Sequence, residues 1–276
     1  MPELPEVTTI CRSLDRQLRG QVITGAASCG RLRVDVDSVS LQGFCAGKCI
    51  SAVTRRAKYL LVVFTDRSGL ILHLGMTGSF VITPDDGQAR PYERAYFLLA
   101  DGRRWRFCDI RCFGSLQLCP GDIQSCTHPA LADLGLEPLT GDFNGSSLHR
   151  LSRNSRTPVK TWLMDQHNVV GVGNIYANEA LFQAGINPAT PVRRLGLQRC
   201  RRLAAAVKTI LQAAIAAGGT TISDYRDVDG SEGHFRTALE VYGRAGEPCP
   251  RCGDSIERLL QGGRAAFFCP RCQPRR

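Results

Sequence analysis

The sequence of 276 residues lacks the features that would direct it into a membrane or out of the cell. It has no apolar run long enough to cross a bilayer, because charged residues or glycine interrupt each run. Its start also lacks the apolar core of a signal peptide, since Glu3 and Glu6 lie where that core would be needed. Internal repeats and low-complexity segments are missing as well. We therefore expect a globular cytoplasmic protein with one large domain or two smaller ones.

Acidic residues are too few to balance the basic ones, with 25 Asp and Glu against 35 Lys and Arg and a formal net charge of +10. The basic residues cluster in the segments 53–60, 102–111 and 193–202 and at the C-terminus. A merely basic protein could have the same net charge, but this clustering favours a polyanionic partner such as nucleic acid.

The thirteen cysteines do not form the pattern of a secreted disulfide framework, because their number is odd and no secretion signal precedes them. Nine are scattered, and we expect most of them to be small buried hydrophobic residues. The other four form two C-x2-C pairs, Cys249 with Cys252 and Cys269 with Cys272. Each pair can place two thiolates on one tight knuckle, and two knuckles complete the tetrahedral set that zinc prefers. The spacing predicts one structural zinc ion, with a β-hairpin between the pairs.

The hydrophobic pattern changes twice along the chain. Apolar residues recur at helical spacing over 5–18, where Pro5 suits the first helical position and Gly20 ends the helix. From about 22 to 119, short β-branched or alternating runs are broken by turn signals such as Asp101-Gly102, which predicts a β-sandwich or a barrel.

The remaining chain reads as a linker followed by helices. Proline and glycine are frequent over 120–150, which is typical of a linker. Helices are predicted over 157–166, 174–184 with Gly185 as the C-cap, and 197–217, and a loop is predicted over 219–237.

Six short motifs occur in order along the chain. They are MPELPEV at 1–7, HLGMTGS at 73–79, DIRCFG at 109–114, GVGNIYANEALF at 171–182, EVYGRAGEPC at 240–249, and the cysteine pairs. Together they resemble the bacterial formamidopyrimidine-DNA glycosylases, which remove 8-oxoguanine and ring-opened purines from double-stranded DNA and cleave the resulting abasic site. The resemblance covers the whole chain and implies a monomer that contains one structural zinc ion.

The resemblance also implies an α+β fold in which DNA lies in a cleft. An N-terminal helix with a two-layered β-sandwich forms the first part, and a helical domain with a helix-two-turns-helix motif and a zinc β-hairpin forms the second. The implied divisions are a catalytic domain at 1–126, a hinge at 127–150, a helical domain at 151–246 and a zinc finger at 247–276.

Catalysis is assigned by the resemblance to Pro2, which becomes the N-terminus once Met1 is removed. An α-amine has a pKa of about 8, against about 10.4 for lysine, so more of it is unprotonated near neutrality. The secondary amine can add to the sugar C1′ and form an iminium, whose positive charge favours β-elimination and then δ-elimination. Glu3 is the implied general acid and base, and Lys58 an implied phosphate contact that assists elimination.

Further residues are implied to support the reaction or to contact DNA. Met76, Arg111 and Phe113 would fill the gap left by the everted nucleotide, with the arginine reading the unpaired cytosine. Arg264 would hold the phosphate beside the lesion, and Glu6 would support the catalytic residues or simply favour the helix N-terminus. The other implied DNA contacts are His73, Tyr92, Arg156 and Asn174, the last at a helix N-terminus that glycines open to a phosphate.

Taken alone, several of these residues also suit ordinary roles. Met76 and Phe113 could belong to a hydrophobic core, Lys58 could be a surface lysine, and Arg264 a solvated arginine. The chain also departs from the family pattern. Tyr92 and Arg94 replace a His-x-His pair, Ile110 and Cys112 stand where proline and a second arginine are common, and Ser223 replaces a lysine that some members have in a lesion-capping loop.

Two other functions compete with this interpretation. One is an endonuclease VIII-type glycosylase for oxidised pyrimidines, against which Leu4 and the Met76, Arg111 and Phe113 set argue. The other is a non-catalytic zinc-ribbon protein that binds DNA, against which the intact Pro2, Glu3 and Lys58 argue.

Overall fold

The computed structural model describes residues 2–220 and 239–275, which fall into two compact units. The N-terminal unit comprises Met1–Ala132 and Gly218–His234, and the C-terminal unit comprises Asp133–Ala217 and Phe235–Arg276. The finer division into a hinge at 127–150 and a separate zinc finger stays a prediction.

Eight strands of the N-terminal unit form two four-stranded antiparallel sheets. The strands are β1 (Ile23–Ser28), β2 (Ile50–Arg56), β3 (Tyr59–Phe64), β4 (Gly69–His73), β5 (Gly78–Pro84), β6 (Glu93–Leu99), β7 (Arg103–Asp109) and β8 (Ser115–Cys119). One sheet has the order β1-β6-β7-β5 and the other β2-β3-β4-β8. The predicted turn at Asp101-Gly102 joins β6 to β7, and Gly102 has the positive φ of 83° that favours glycine there.

One hydrophobic core takes side chains from both sheets, which makes the fold a sandwich rather than a barrel. Aromatic rings form its centre: Phe97 stacks on Trp105 with ring centroids 4.5 Å apart, and Phe80 contacts Phe107 at 4.9 Å. Offset and tilted rings at these distances add to the stabilisation that burial provides.

The predicted N-terminal helix is confirmed as α1 (Leu4–Leu18), with Pro5 in its first turn. Its apolar stripe, which includes Val7, Ile10 and Leu14, is buried in the same core. Because the spacing of this stripe follows the helical period, the helix can bury one face while its polar face stays in water.

A second helix, α2 (Ser38–Cys45), lies between β1 and β2, where only strands were predicted. Asp37 caps it, since its carboxylate accepts the backbone N–H of Ser40 at 2.8 Å. Only Leu41 and Cys45 are buried along this helix, so its hydrophobic period is too weak to be recognised in the sequence.

The remaining helices are α3 (Pro129–Ala132), α4 (Gly145–Ser152), α5 (Val159–Met164), α6 (Asn174–Ala184) and α7 (Leu197–Ala216). Strands β9 (Glu257–Gln261) and β10 (Arg264–Phe268) form the expected hairpin between the cysteine pairs. Gly185 caps α6 in the left-handed conformation, as predicted. No helix in the described part of the chain is long and apolar enough to span a membrane.

The segment 120–150, which was predicted as a linker, contains short helical elements at both ends. A 3₁₀ turn (Ile123–Ser125) and α3 occupy its first part, and α4 begins at Gly145. Asn144 starts α4 because its side-chain oxygen accepts the N–H groups of Ser146 and Ser147. Residues of this type favour turns and helix caps alike, so composition alone did not separate the two. The loop predicted over 219–237 lies almost wholly outside the described residues.

The scattered cysteines are only partly the buried residues that were expected. Four are buried, Cys29 is exposed and the other four are half-buried. Burial raises the pKa of the Cys11 thiol to about 11 and that of Cys45 to about 12. These two thiols are therefore protonated and poorly nucleophilic near neutral pH.

Candidate active site and DNA-contact residues

Strand register brings three segments of the N-terminal unit to one end of a sheet. Tyr59 pairs with His73, and His73 pairs with Ser115. Lys58 precedes the first of these residues, the loop 74–77 follows the second, and the loop 110–114 precedes the third. We call this edge, formed by Lys58 and the two loops, the active-site end of the unit.

Helix α1 directs Glu3 towards the same end. Asp15 accepts the backbone N–H of Val53 at 2.7 Å, and one turn earlier the Cys11 thiol donates to the Val53 carbonyl at 3.4 Å and is within range of the charge of Arg55, which opposes the rise in its pKa that burial causes. The helix therefore runs antiparallel to β2. Glu3 lies about 18 Å from Asp15 along the helix, and Lys58 lies about 16 Å from Val53 along the strand.

The carboxylate of Glu6 fixes the backbone beside Pro2. One of its oxygens accepts the N–H of Glu3 at 2.8 Å, and the other accepts the N–H of Thr220 at 2.8 Å. Glu3 and Glu6 are both buried, whereas Pro2 is half-buried. Glu6 thus joins the start of the chain to the segment that precedes residue 221, a role beyond favouring the helix N-terminus.

Lys58 is not the solvated surface lysine that the sequence alone allowed, because only 6% of it is exposed. It lies in the turn between β2 and β3, where the preceding Ala57 has a positive φ of 54°. Arg55 donates to the carbonyl of Ala57 at 2.8 Å and so holds this turn. A buried ammonium at the active-site end is suited to interact with a phosphate or a reacting group.

Met76 and Phe113 are exposed, at 40% and 45%, so neither belongs to the core. The Arg111 guanidinium lies over the Phe113 ring, 4.9 Å from its centroid. Apolar side chains presented on adjacent loops, with an arginine over one of them, fit the predicted insertion into a base stack.

The two loops pack backbone against backbone, which explains the glycine in HLGMTG. Gly75 has a φ of 59°, and a Cβ at this position would come within 2.4 Å of the Phe113 carbonyl carbon. Any larger residue would push the loops apart and separate Met76 from Phe113.

His73 and Tyr92 lie at the same end, and their predicted contacts with DNA stay predictions. The His73 ring accepts the N–H of Gly75 through Nδ1 at 3.0 Å. Burial, together with the charges of Lys58 and Arg33, lowers the pKa of His73 to about 4, so the ring is neutral at physiological pH. Tyr92 is 54% exposed, and its carbonyl accepts the N–H of Asp109 at 2.9 Å.

In the C-terminal unit, Asn174 and Arg264 lie at a common end. Asn174 begins α6, and one turn later the side chain of Asn178 accepts the N–H of Phe267 at 2.7 Å. Arg264 is exposed and follows the tight turn Gly262-Gly263, where both glycines have positive φ.

Two buried charged residues that sequence reasoning missed hold this end of the C-terminal unit. Lys160 donates to the carbonyl of Ala265 at 2.9 Å and so ties the start of α5 to the hairpin. Shortly before Lys160, the predicted DNA contact Arg156 is exposed in the loop that leads into α5. Glu179 accepts three backbone N–H groups, from residues 240, 241 and 242, at 2.8, 3.0 and 2.8 Å. Nothing local in the sequence distinguishes Lys160 or Glu179 from a surface charge on a helix.

The four cysteine sulfurs lie within 4.8 Å of one another, in the arrangement that a tetrahedral zinc site requires. Cys249 and Cys272 sulfurs are 3.8 Å apart, and those of Cys252 and Cys269 are 3.4 Å apart. With Zn–S bonds of about 2.3 Å, the edges of a tetrahedron measure about 3.8 Å. The donors therefore fit zinc, and since all four positions are protein thiolates, the metal's role is structural.

Matches to known families cover most of the chain. Residues 1–116 match the formamidopyrimidine-DNA glycosylase N-terminal domain, residues 134–226 match the formamidopyrimidine-DNA glycosylase H2TH domain, and residues 246–275 match the zinc finger found in FPG and IleRS. Among curated relatives, the formamidopyrimidine-DNA glycosylase of Alkalilimnicola ehrlichii is 49% identical over 99% of this chain and 100% of its own length. That of Photorhabdus laumondii is 44% identical over the same shares.

Solved structures agree with the sequence matches. The MutM (FPG) protein of Thermus thermophilus has a TM-score of 0.87 and 39% identity over the full length of both chains. Lactococcus lactis Fpg in a complex with DNA that contains an abasic site has a TM-score of 0.91 and 33% identity, covering 99% of this chain and 100% of its own. A MutM structure with DNA containing carbocyclic 8-oxo-G has a TM-score of 0.89 and 32% identity over the same shares. On its motifs, its fold and these relatives, the chain belongs to the formamidopyrimidine-DNA glycosylase family.

Proposed function

We propose that the protein is a bifunctional DNA glycosylase and abasic-site lyase of base excision repair, which excises oxidised purines such as formamidopyrimidines and 8-oxoguanine. The observation that carries the proposal is the meeting of buried Lys58 and the exposed wedge residues Met76 and Phe113 at the end towards which α1 directs Glu3. The relatives crystallised with lesion-containing DNA support the substrate class.

In the proposed reaction, Pro2 is the nucleophile after Met1 is removed. Its nitrogen attacks C1′ of the damaged nucleotide, and the bond from C1′ to the base breaks as the base takes up a proton. Glu3 protonates O4′ while the sugar opens, which leaves an iminium between Pro2 and C1′. Loss of a C2′ proton then expels the 3′ phosphate, and a second elimination expels the 5′ phosphate.

The other predicted residues would bind the DNA around this centre. Met76 and Phe113 would fill the space of the everted nucleotide, and Arg111 would read the base left unpaired. Asn174 and Arg264, at the common end of the C-terminal unit, would contact phosphates. Zinc bound by the four cysteines supplies a structural cross-link that holds the β9–β10 hairpin and thereby Arg264.

Borohydride trapping tests the proposal directly. The processed protein is incubated with duplexes that carry 8-oxoguanine opposite C, 8-oxoguanine opposite A, or an oxidised pyrimidine, and borohydride is added to reduce any iminium. We expect a covalent complex through Pro2 that forms fastest with 8-oxoguanine opposite C. Fastest trapping with the pyrimidine lesion would favour an endonuclease VIII-type activity, and binding without trapping on any duplex would exclude both enzymes.

We further propose that the protein acts as a monomer in the cytoplasm, because its proposed substrate is DNA and one chain carries every predicted site residue. Light scattering on the protein bound to a lesion duplex measures the stoichiometry. One chain per duplex is expected, and two chains per lesion would contradict the proposal.

A further inference from the structure

A buried carboxylate without an assigned role is hydrogen-bonded to the loops 74–77 and 110–114. Asp109, the last residue of β7, has no exposed surface. One of its oxygens accepts the Thr77 hydroxyl at 2.6 Å and the Arg111 N–H at 3.2 Å. The other oxygen accepts the Gly114 N–H at 2.7 Å. A single side chain therefore holds the residue after Met76 and both sides of Phe113.

Arg94 and Tyr92 hold the backbone of Asp109 through its carbonyl and its N–H. The Nε of Arg94 donates to the Asp109 carbonyl at 2.8 Å, and Tyr92 accepts the Asp109 N–H. Arg94 stands where the family pattern has a histidine, so this support for the loop belongs to the chain's own sequence.

We propose that Asp109, supported by Arg94, is a positioning residue that sets how Met76, Arg111 and Phe113 enter the DNA, and thereby determines selectivity for the base opposite the lesion. The inference rests on the proposed function. Two backbone N–H groups of the loop 110–114, which cannot rotate, donate to different oxygens of this carboxylate. The Thr77 hydroxyl ties the loop 74–77 to the same group, so the relative position of the two loops follows from one rigid side chain. Displacement of Arg111 by about 1 Å is enough to weaken its reading of a base, because such misplacement can cost about a hundredfold in rate.

Asp109→Asn tests the idea with a change of one atom. An amide has a single acceptor oxygen, so its NH2 group must face either the Arg111 N–H or the Gly114 N–H, whichever way the amide is turned. The Thr77 hydroxyl can reverse its role towards residue 109 while its oxygen still accepts the Arg111 N–H at 3.0 Å, but neither backbone group can reverse. In either orientation of the amide, the 110–114 loop therefore loses one of its two bonds to the side chain at position 109, while the rest of the core is unchanged.

Three measurements separate positioning from general damage. Excision of 8-oxoguanine opposite C is expected to fall about thirtyfold, and the preference for C over A is expected to shrink at least threefold. Borohydride trapping on single-stranded abasic DNA, which has no stack to hold open, should stay within about threefold of the unchanged protein. Asp101→Asn, in the turn that precedes the same strand, is the matched control and should leave all three values unchanged.

A parallel fall in excision and in single-stranded trapping, or excision within threefold of normal, would overturn the proposal. Arg94→Met, which removes only the support of the Asp109 carbonyl, keeps the test decisive if Asp109→Asn does not fold. It should show the same pattern at about five- to tenfold. If the unchanged protein neither excises the lesion nor forms the trapped complex, the proposed function itself fails, which is a separate outcome.

Discussion

Replacing Glu6 by glutamine should weaken the N-terminal unit and misplace Pro2, the proposed nucleophile. The Glu6 carboxylate accepts one backbone N–H from Glu3 and one from Thr220, each at 2.8 Å and out of contact with water. Glutamine offers one acceptor and turns its NH2 group towards the other N–H. A buried donor without an acceptor costs about 1–3 kcal/mol, and the loss of charge from the remaining bond and from the helix N-terminus adds about 1 kcal/mol.

The expected loss in the free energy of unfolding is therefore about 2–4 kcal/mol, which corresponds to a fall in Tm of roughly 4–16 °C for a unit of this size. The variant should still be folded at 25 °C. Because Glu3 is displaced together with the adjoining Pro2, the rate of borohydride trapping on abasic DNA should fall about 10- to 100-fold, with a much smaller change in DNA affinity.

Calorimetry and single-turnover trapping measure the two effects. Glu257→Gln, the same substitution on an exposed position of β9, is the matched control and should change neither. A normal Tm and a normal trapping rate for Glu6→Gln would refute the argument that this carboxylate positions the chain start. A lower Tm with a normal trapping rate would limit its role to stability.

Three further predictions concern other buried groups. Glu179→Gln leaves at least one of three buried N–H groups without an acceptor, so amide hydrogen exchange over 240–242 should accelerate by roughly tenfold or more; unchanged exchange would contradict this. The pKa of His73 falls to about 4 in the folded state, so its protonation favours unfolding. The contribution of His73 to the free energy of unfolding is fully present above pH 6.5 and should decline by up to about 3 kcal/mol as the pH falls to 4. Urea titrations should show a flatter decline in His73→Gln, but not in His167→Gln at an exposed position. Cys249→Ser, or thorough chelation, should remove zinc and weaken binding to lesion duplexes at least tenfold, because Arg264 loses its platform; full binding at a zinc content shown to be zero would refute this.

Local signals were sufficient for the elements that depend on neighbours along the chain. The stripe of α1, the continuous apolar runs of β3 and β4, the Gly185 cap and the spacing of the cysteine pairs are each visible within a few neighbouring residues. Helix α2 escaped prediction because only two of its residues are buried. The order of the motifs along the chain also identified the family, although it left the roles of individual residues as expectations.

The exposed or buried state of the site residues could not be read from the sequence. Met76 and Phe113 have the composition of core residues and are exposed, whereas Lys58 has that of a surface residue and is buried. In each case the deciding factor is a loop held at the end of a sheet by strands distant in sequence. The residue type alone does not indicate whether a side chain in such a loop faces the core or the solvent.

The sequence by itself therefore determined the family, the zinc ligands and the helix that follows the proposed nucleophile, since each of these depends on short motifs or on the spacing of nearby residues. Only the tertiary structure decided how the carboxylates are used. Glu6 accepts a hydrogen bond from Thr220, 214 residues further along the chain, and Asp109 accepts one from Thr77, 32 residues before it. Such bonds form only when folding brings buried N–H and O–H groups to an acceptor, and no local sequence pattern indicates which acceptor that will be.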